Sequence, residues 1–460
     1  MSEQSHLFSM MPCIMLHFPA SCVYFIPKLL ITHLSLHIGK MLFLHTSDWH
    51  LGSEMEGRRR IDESAALLRH LIRVIRRENV NTLLVSGDVF DSHAPSNQAT
   101  RQYYDFLKEL HQCECVENVV IIAGNHDSPS YLEAPAGLLE LLNIHVIGSA
   151  NENDLEREII PLKENGKIEA VACAVPYLVS PGLPGKTQAE QDAAYEQYVV
   201  NHYRRVVDLA KTKYPDLPLI AMGHFFAVGG KGSDDSVLRC NLHSIHVEML
   251  PLADIDYLAL GHLHRAQIVN GLENVRYAGS LMKMSFAECD KDKEIILWNT
   301  DTPNNFRRLP ITAQDVPELS EMAVLQGNVD VLEQGLLALK AKRQQENNGN
   351  PLWLAVVNTG MFYPDLKNHL TQLLGDDSPL DIVVCKNQAL NPQLAKFAKS
   401  GKKLEEMTPE KLFDDFLNSL SGPSTEVDGN PLISPEDRQW YRMKLLEALQ
   451  ACGDDDQNAQ

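Results

Sequence analysis

The sequence lacks closely spaced cysteine pairs of the Cys-x-x-Cys type. Its nine cysteines are scattered over 460 residues, and only Cys113 and Cys115 stand near each other. This pattern excludes a disulfide framework and gives no indication of a structural zinc site. A reducing compartment fits best, so we predict a cytoplasmic protein.

Positive charge is also scarce, with 41 Lys and Arg against 61 Asp and Glu and a net charge of −20. Because phosphate binding depends on Lys and Arg, this balance excludes a protein that holds nucleic acid by bulk electrostatics. A local cluster exists on and before a predicted helix, and it fits a solvated helix face as well as a surface that follows phosphates. Its members are Arg58, Arg59, Arg60, Arg69, Arg73, Arg76 and Arg77.

No uninterrupted apolar run reaches the roughly 20 residues of a membrane-spanning helix. Residues 1–40 contain apolar patches that His and Pro interrupt, without a basic leader and cleavage site. We expect this segment to be an extension outside the fold, with an uncleaved membrane anchor as the alternative. Residues 182–187 resemble a P-loop, but Ser180 stands where that motif requires Gly, so no nucleotide site is predicted.

From Met41 onward, strands alternate with helices, which predicts an α/β fold of two sheets flanked by helices. Extended runs at 157–163 and 168–177 indicate the second sheet, and we expect 275–278 and 294–299 to complete it. We predict a main domain at 41–302. A small α+β domain with two helices and two strands follows at 303–390, and a linker with two capped helices occupies 391–460.

Five apolar runs end, usually at a glycine, and each is followed directly by Asp, Asn or His. These endings are His45-Thr46-Ser47-Asp48-Trp49-His50, Gly87-Asp88, Gly124-Asn125-His126-Asp127, Gly223-His224 and Gly261-His262-Leu263-His264. Open α/β sheets bind ligands at the carboxyl edge of their strands, so these side chains should meet there. The sequence therefore predicts a site for two metal ions.

Asp88 is predicted to bridge the two ions. The remaining ligands are predicted as Asp48, His50 and His264 for one ion and Asn125, His224 and His262 for the other. Oxygen and imidazole ligands without thiolate favour Mn²⁺, with Fe²⁺, Mg²⁺ or Zn²⁺ as alternatives. Such a pair suits displacement at phosphorus. His126 is then placed to contact the phosphate or protonate the leaving oxygen, and Asp127 is assigned a structural role.

Together these motifs resemble the calcineurin-like metallophosphoesterase signature. Residues 45–52, Gly87-Asp88-Val89-Phe90-Asp91 and Tyr277-Ala278-Gly279-Ser280 are similar, more narrowly, to the SbcD family, the nuclease components of the bacterial SbcC-SbcD complexes. The resemblance runs from Met41 to about residue 299 and more loosely beyond it. Archaeal relatives have a second active-site His where this chain has Asp91, which leaves open a role for His93.

The resemblance implies a Mn²⁺-dependent 3′–5′ double-strand exonuclease that also cuts single strands and hairpins, in DNA repair, replication and recombination near the nucleoid. It implies a homodimer within a heterotetramer with an SbcC-like ATPase. The small domain would cap the DNA face, and the end helices would bind the ATPase. A phosphodiesterase or phosphatase acting on a small phosphate ester remains the alternative enzyme, and an inactive scaffold the alternative class.

Overall fold

The computed structural model describes residues 41–179, 186–230, 244–303, 305–346 and 351–388, with 426–427, 430–431 and 441–443. The described residues all belong to one of the two units into which the chain divides, Met41–Gln460. The predicted extension and nearly all of the predicted linker and end helices lie outside the described residues. Within the described residues, no helix combines the length and apolar character needed to cross a membrane.

Nineteen strands and seven α-helices with defined bounds occur among the described residues, and residues 441–443 are also helical. The strands are β1 (Leu42–Thr46), β2 (Glu54–Met55), β3 (Arg58–Arg59), β4 (Thr82–Ser86), β5 (Asn118–Ile122), β6 (Ile144–Ile147), β7 (Ile159–Glu164), β8 (Lys167–Ala174), β9 (Leu219–His224), β10 (Tyr257–Gly261), β11 (Gln267–Val269), β12 (Leu272–Tyr277), β13 (Lys293–Asn299), β14 (Arg307–Ile311), β15 (Met322–Gly327), β16 (Leu352–Asn358), β17 (Leu380–Asn387), β18 (Glu426–Val427) and β19 (Asn430–Pro431). The helices are α1 (Ile61–Glu78), α2 (Asn97–His111), α3 (Pro129–Glu133), α4 (Ala136–Leu139), α5 (Gln188–Lys213), α6 (Val329–Glu346) and α7 (Leu366–Leu374).

Two six-stranded sheets form the main body, with strand orders β14-β13-β1-β4-β5-β6 and β11-β12-β10-β9-β8-β7. Their facing sides share one apolar cluster, to which Phe43 contributes from β1 and Met222 from β9. In β4, Leu84 joins this cluster while Leu83 packs on the helix side. Both faces of the strand are therefore buried, which explains its continuous apolar run. The predicted two-sheet α/β fold is confirmed.

Helices cover the outer faces of both sheets. Leu71 and Ile75 of α1 join the cluster beside the first sheet, and Val199 and Val206 of α5 join the cluster beside the second. Helix α1 has acidic residues in its first turn and basic residues in its last, as the helix dipole favours. Asn79 ends it in the left-handed conformation, with its N–H donating to the Ile75 carbonyl.

Strand β13 was expected in the second sheet, and this expectation is wrong. It pairs antiparallel with β1 in the first sheet, with Leu44 opposite Leu297. The pairing covers the edge of β1 that β4 leaves open, and it buries Ile295 on one face and Trp298 on the other. By contrast, β7 and β8 pair with each other in the second sheet, as predicted.

A three-stranded parallel sheet, β15-β16-β17, forms with α6 and α7 a second layered body. Sequence reasoning missed β15 and placed the first element of this region at α6. The boundary predicted between residues 302 and 303 falls between β13 and β14, which pair with each other. The boundaries of the predicted domains stay predictions.

The small sheet packs against the β2–β3 hairpin that follows His50. Met55 of the hairpin shares a buried cluster with Trp353 of β16. Arg58 forms a two-pronged ion pair with Asp381 of β17, with distances of 2.7 and 2.9 Å. The small sheet is thereby attached close to the chain segment that carries Asp48 and His50.

Candidate metal centre

The seven predicted ligands meet at the carboxyl ends of parallel strands from both sheets. Asp48, Asp88 and Asn125 follow β1, β4 and β5 of the first sheet, whereas His224 ends β9 and His262 follows β10 of the second. His264 lies in the loop after β10. Each apolar strand is held by its layer, so the polar residue after it is fixed where the two sheets meet.

Backbone strain is concentrated at this place. Asp48, His50 and Asp88 have φ angles of 50°, 45° and 51°, and His262 has 101°. These are four of the ten described non-glycine residues with positive φ. Positive φ is uncommon outside glycine; it costs on the order of 1–3 kcal/mol and is typical of functional sites.

Glycine is required where the loops approach each other most closely. Gly87 has a φ of 87°, and a Cβ there would overlap Nδ1 of His224 and the backbone of Gly124. A Cβ on Gly261 would overlap the carbonyl oxygen of Ser86. The glycines that end the apolar runs thus allow the predicted ligands to come together.

One group of three predicted ligands, Asp48, His50 and His264, has potential ligand atoms within 4.8 Å of one another. Nε2 of His50 lies 3.2 Å from Nε2 of His264 and 3.6 Å from Oδ2 of Asp88. The Asp48 carboxylate accepts a hydrogen bond of 3.0 Å from the backbone N–H of His262, which ties the first group to the second.

A second set of predicted ligands consists of His224, Asn125 and His262. Nε2 of His224 lies 3.3 Å from Oδ2 of Asp88 and 3.1 Å from Oδ1 of Asn125. Nδ1 of His262 lies 2.9 Å from the same Asn125 oxygen. Oδ2 of Asp88 contacts imidazoles of both sets. Its Oδ1 accepts a hydrogen bond of 2.8 Å from the backbone N–H of His126.

Two of these imidazoles have their outer nitrogen held by a neighbour. Nδ1 of His224 donates to the carbonyl oxygen of Ser86 at 2.9 Å, so Nε2 faces Asp88. Nδ1 of His50 lies 3.1 Å from Oδ1 of Asp91. Such outer contacts fix the tautomer and the ring orientation of metal-binding histidines.

The electrostatics of the centre suit divalent cations. Burial opposes ionisation of Asp88, but the charge and hydrogen bond of His224 outweigh it and hold the pKa of Asp88 below its usual range. In turn, burial opposes charge on His224, but Asp88 raises the pKa of this imidazole to about 9. A divalent cation bound by these groups would displace the protons that they hold, since metal ligands bind in their deprotonated forms. Carboxylate, imidazole and amide oxygen are fitting donors for such an ion.

Comparisons with known proteins agree with this arrangement. Residues 41–266 match the family described as calcineurin-like phosphoesterase. The D component of nuclease SbcCD from Escherichia coli (strain K12) is 31% identical over 385 residues, which cover 81% of this chain and 92% of that protein. This chain belongs to the SbcD family. The proteins of the same name from Rhodobacter capsulatus and Bacillus subtilis are 35% and 31% identical, each over 56% of this chain and 66% of their own length.

All seven predicted ligands lie within the phosphoesterase match, as do His126 and Asp127. His126 is exposed, and its Nδ1 donates to the carbonyl oxygen of Asp91 at 2.9 Å. Its ring lies 4.9 Å from that of His50, between centroids. Asp127 is buried, and its carboxylate accepts from the N–H groups of Val89, Phe90 and Gly124. These contacts favour the structural role predicted for Asp127, which stays a prediction.

Asp91 lies in this SbcD-family centre, and the sequence left open whether it has a catalytic role. It forms another possible metal-binding group with His50 and His126, and Asp48, Asp88 and His224 form a further one. The signal was present, since Asp91 follows Asp88 in a Gly-Asp-x-x-Asp motif. His93, the other residue left open, contacts the carbonyl oxygen of Asp127 with Nδ1 at 2.9 Å. The nitrogen that makes this contact is thus engaged with the backbone.

The arginine cluster makes contacts within the chain. Arg60 is buried and pairs with Glu63 at 2.8 Å, and Arg58 pairs with Asp381. The arginines further along α1 contact Glu318, the carbonyl oxygen of Asp315, Cys113 and Glu78. For Arg58 and Arg60, these contacts favour a structural function over phosphate binding.

Proposed function

We propose that this chain is the catalytic component of a DNA nuclease that works with an SbcC-like ATPase. Specifically, it would act as a Mn²⁺-dependent 3′–5′ double-strand exonuclease and as an endonuclease on single strands and hairpins. The convergence of the seven predicted ligands, Asp88 and the six side chains around it, carries this proposal. Alignment over 92% of the E. coli nuclease component supports the substrate class.

In this proposal Asp88, which is buried at 2% exposure, would hold both of two divalent cations. Asp48, His50 and His264 would complete one position, and Asn125, His224 and His262 would complete the other. When bound, the cations acidify a water molecule and stabilise negative charge on the phosphoryl oxygens. The protein contributes the orientation of His224 through Ser86 and of His50 through Asp91, and Mn²⁺ suits this mixed set of donors.

His126 is proposed as the catalytic residue supplied by the protein. Its Nδ1–H is engaged by the carbonyl oxygen of Asp91, which leaves Nε2 of the exposed ring available to a substrate phosphate. Asn125 supplies the metal-binding oxygen from the same turn, so His126 is not needed for that task. General acid–base help of this kind contributes about 10² to 10⁴ in rate.

The proposed partners are those of the family. We propose a homodimer within a heterotetramer with the ATPase, in which residues 391–460 bind the ATPase and residues 303–390 cap the DNA face. The packing of Trp353 and Asp381 against the β2–β3 hairpin supports a cap attached close to the centre. A cytoplasmic, nucleoid-associated location would follow from this substrate.

The test is an assay of the purified protein with Mn²⁺ on linear duplex, single-stranded and hairpin DNA and on a chromogenic phosphodiester, with and without the ATPase. We expect cleavage of the DNA substrates and stimulation of duplex cleavage by the ATPase. Activity confined to the chromogenic ester would contradict the proposal. His126→Gln should keep two Mn²⁺ ions and lose about 10² to 10⁴ in duplex cleavage. His93→Gln is the matched control and should cleave like the parent.

A further inference from the structure

A buried carboxylate lies behind His264, outside every motif described above. Glu288 ends a short 3₁₀ helix, Phe286–Glu288, and is 2% exposed. Its Oε1 lies 3.4 Å from Nδ1 of His264, whereas Nε2 of the same ring approaches His50. The carboxylate therefore occupies the outer side of a predicted metal ligand.

The other oxygen of Glu288 is fixed independently. Oε2 lies 2.6 Å from Nζ of Lys293 and accepts a hydrogen bond of 3.1 Å from the backbone N–H of Met284. Lys293 is itself buried and also donates to the carbonyl oxygen of His264 at 2.6 Å and to Ser280 Oγ at 2.8 Å. The side chain of Glu288 and the backbone of His264 are thus held by the same ammonium group.

We infer that Glu288 is a positioning residue that orients His264 for metal binding, and that Lys293 holds Glu288 in place. This inference rests on the proposed metal site. Carboxylates that hold the outer nitrogen of metal-binding histidines direct the inner nitrogen at the ion, and their loss typically costs about 10- to 100-fold in metal affinity or activity.

The other imidazoles of the centre show why His264 needs such a partner. His224 is held by the carbonyl oxygen of Ser86 and His50 by Asp91. Both of those rings are buried, whereas the side chain of His264 lies on a loop after β10 and is 22% exposed. Packing therefore restrains His264 less, and Glu288 supplies the restraint that the loop lacks.

A purely structural ion pair between Glu288 and Lys293 would predict something different. Loss of the carboxylate would then lower the thermal midpoint and leave metal affinity intact. A buried pair exists elsewhere, where Nε2 of His202 lies 2.7 Å from Oε2 of Glu158 and neither residue is a predicted ligand. Glu158→Gln is therefore the matched control.

The experiment titrates metal-free protein with Mn²⁺ and measures free Mn²⁺ by electron paramagnetic resonance. For Glu288→Gln we expect one ion to bind about 10- to 100-fold more weakly, as for other outer partners of metal ligands, while the second binds as in the parent. Glu158→Gln should show a lower thermal midpoint with both affinities unchanged. Parental affinity for both ions in Glu288→Gln would overturn the inference.

Lys293→Gln is a second variant in case Glu288→Gln does not fold. It leaves the carboxylate but removes the charge that anchors it, so a smaller loss at the same single ion is expected. Unchanged affinity in this variant would also overturn the inference. A parent protein that binds no Mn²⁺ would instead refute the proposed metal centre, which separates the two failures.

Discussion

Replacing Asp127 with alanine should destabilise the protein by at least about 3 kcal/mol, because its carboxylate is the shared acceptor for two loops. Oδ1 accepts from Phe90 at 2.8 Å, and Oδ2 accepts from Val89 at 3.1 Å and from Gly124 at 2.9 Å. These bonds join the loop after β4 to the loop after β5, and both loops carry predicted metal ligands.

The magnitude comes from the three donors. A buried N–H that loses its acceptor costs about 1–3 kcal/mol, so three give about 3–9 kcal/mol. We expect the low end of this range. Burial, followed by the charge of Asp88, raises the pKa of Asp127 to about 6, so the carboxylate itself is costly to ionise in the fold. The substitution removes that cost and offsets part of the loss.

Urea denaturation in EDTA, followed by circular dichroism, measures the free energy of unfolding without metal. Asp127→Asn is the control, since an amide oxygen in the place of Oδ2 keeps two of the three hydrogen bonds. The free energy of unfolding of Asp127→Asn should be about 1–3 kcal/mol lower than that of the parent. A free energy of unfolding for Asp127→Ala within about 1 kcal/mol of the parent would refute this reasoning, given that cost per orphaned donor.

Three further outcomes are expected. Asp88→Asn should weaken Mn²⁺ binding at both positions, whereas Asp48→Asn should weaken it mainly at one. Elemental analysis measures the bound metal, and two tightly bound ions per chain in Asp88→Asn would contradict the bridging assignment. Arg58→Ala should loosen the small sheet and increase hydrogen exchange where the sheet contacts the β2–β3 hairpin. Arg59→Ala changes a side chain that is 77% exposed and should leave this exchange unchanged. Equal exchange in the two variants would count against this packing. A chain that begins at Met41 should keep its thermal midpoint and Mn²⁺-dependent activity, and loss of soluble expression would show that residues 1–40 belong to the fold.

Local signals were enough to predict the strand ends of the centre. Each ligand-bearing turn follows an apolar run and a glycine or a short polar segment, and these features lie within about ten residues of one another. The two-sheet fold followed from the same alternation. The convergence of Asp48 with Asp88 could be expected because their strands, β1 and β4, are parallel neighbours whose carboxyl ends lie at one edge of the sheet.

Nonlocal contacts could not be predicted in this way. The sequence of β13 specifies a strand but not its partner, and its place beside β1 depends on which edge is open. Likewise, Arg58 belongs to a basic cluster in the sequence, and only the fold brings Asp381, far along the chain, to pair with it. Glu288 carries no motif, and its relation to His264 depends on how a 3₁₀ helix packs.

The most direct test of the two-metal centre is a crystal structure of the protein with Mn²⁺, using anomalous scattering at the manganese edge. The account predicts two peaks per chain on either side of Asp88. One peak should be bound by Asp48, His50 and His264, and the other by the remaining predicted ligands. A single peak, or two peaks that do not share the Asp88 carboxylate, would contradict it.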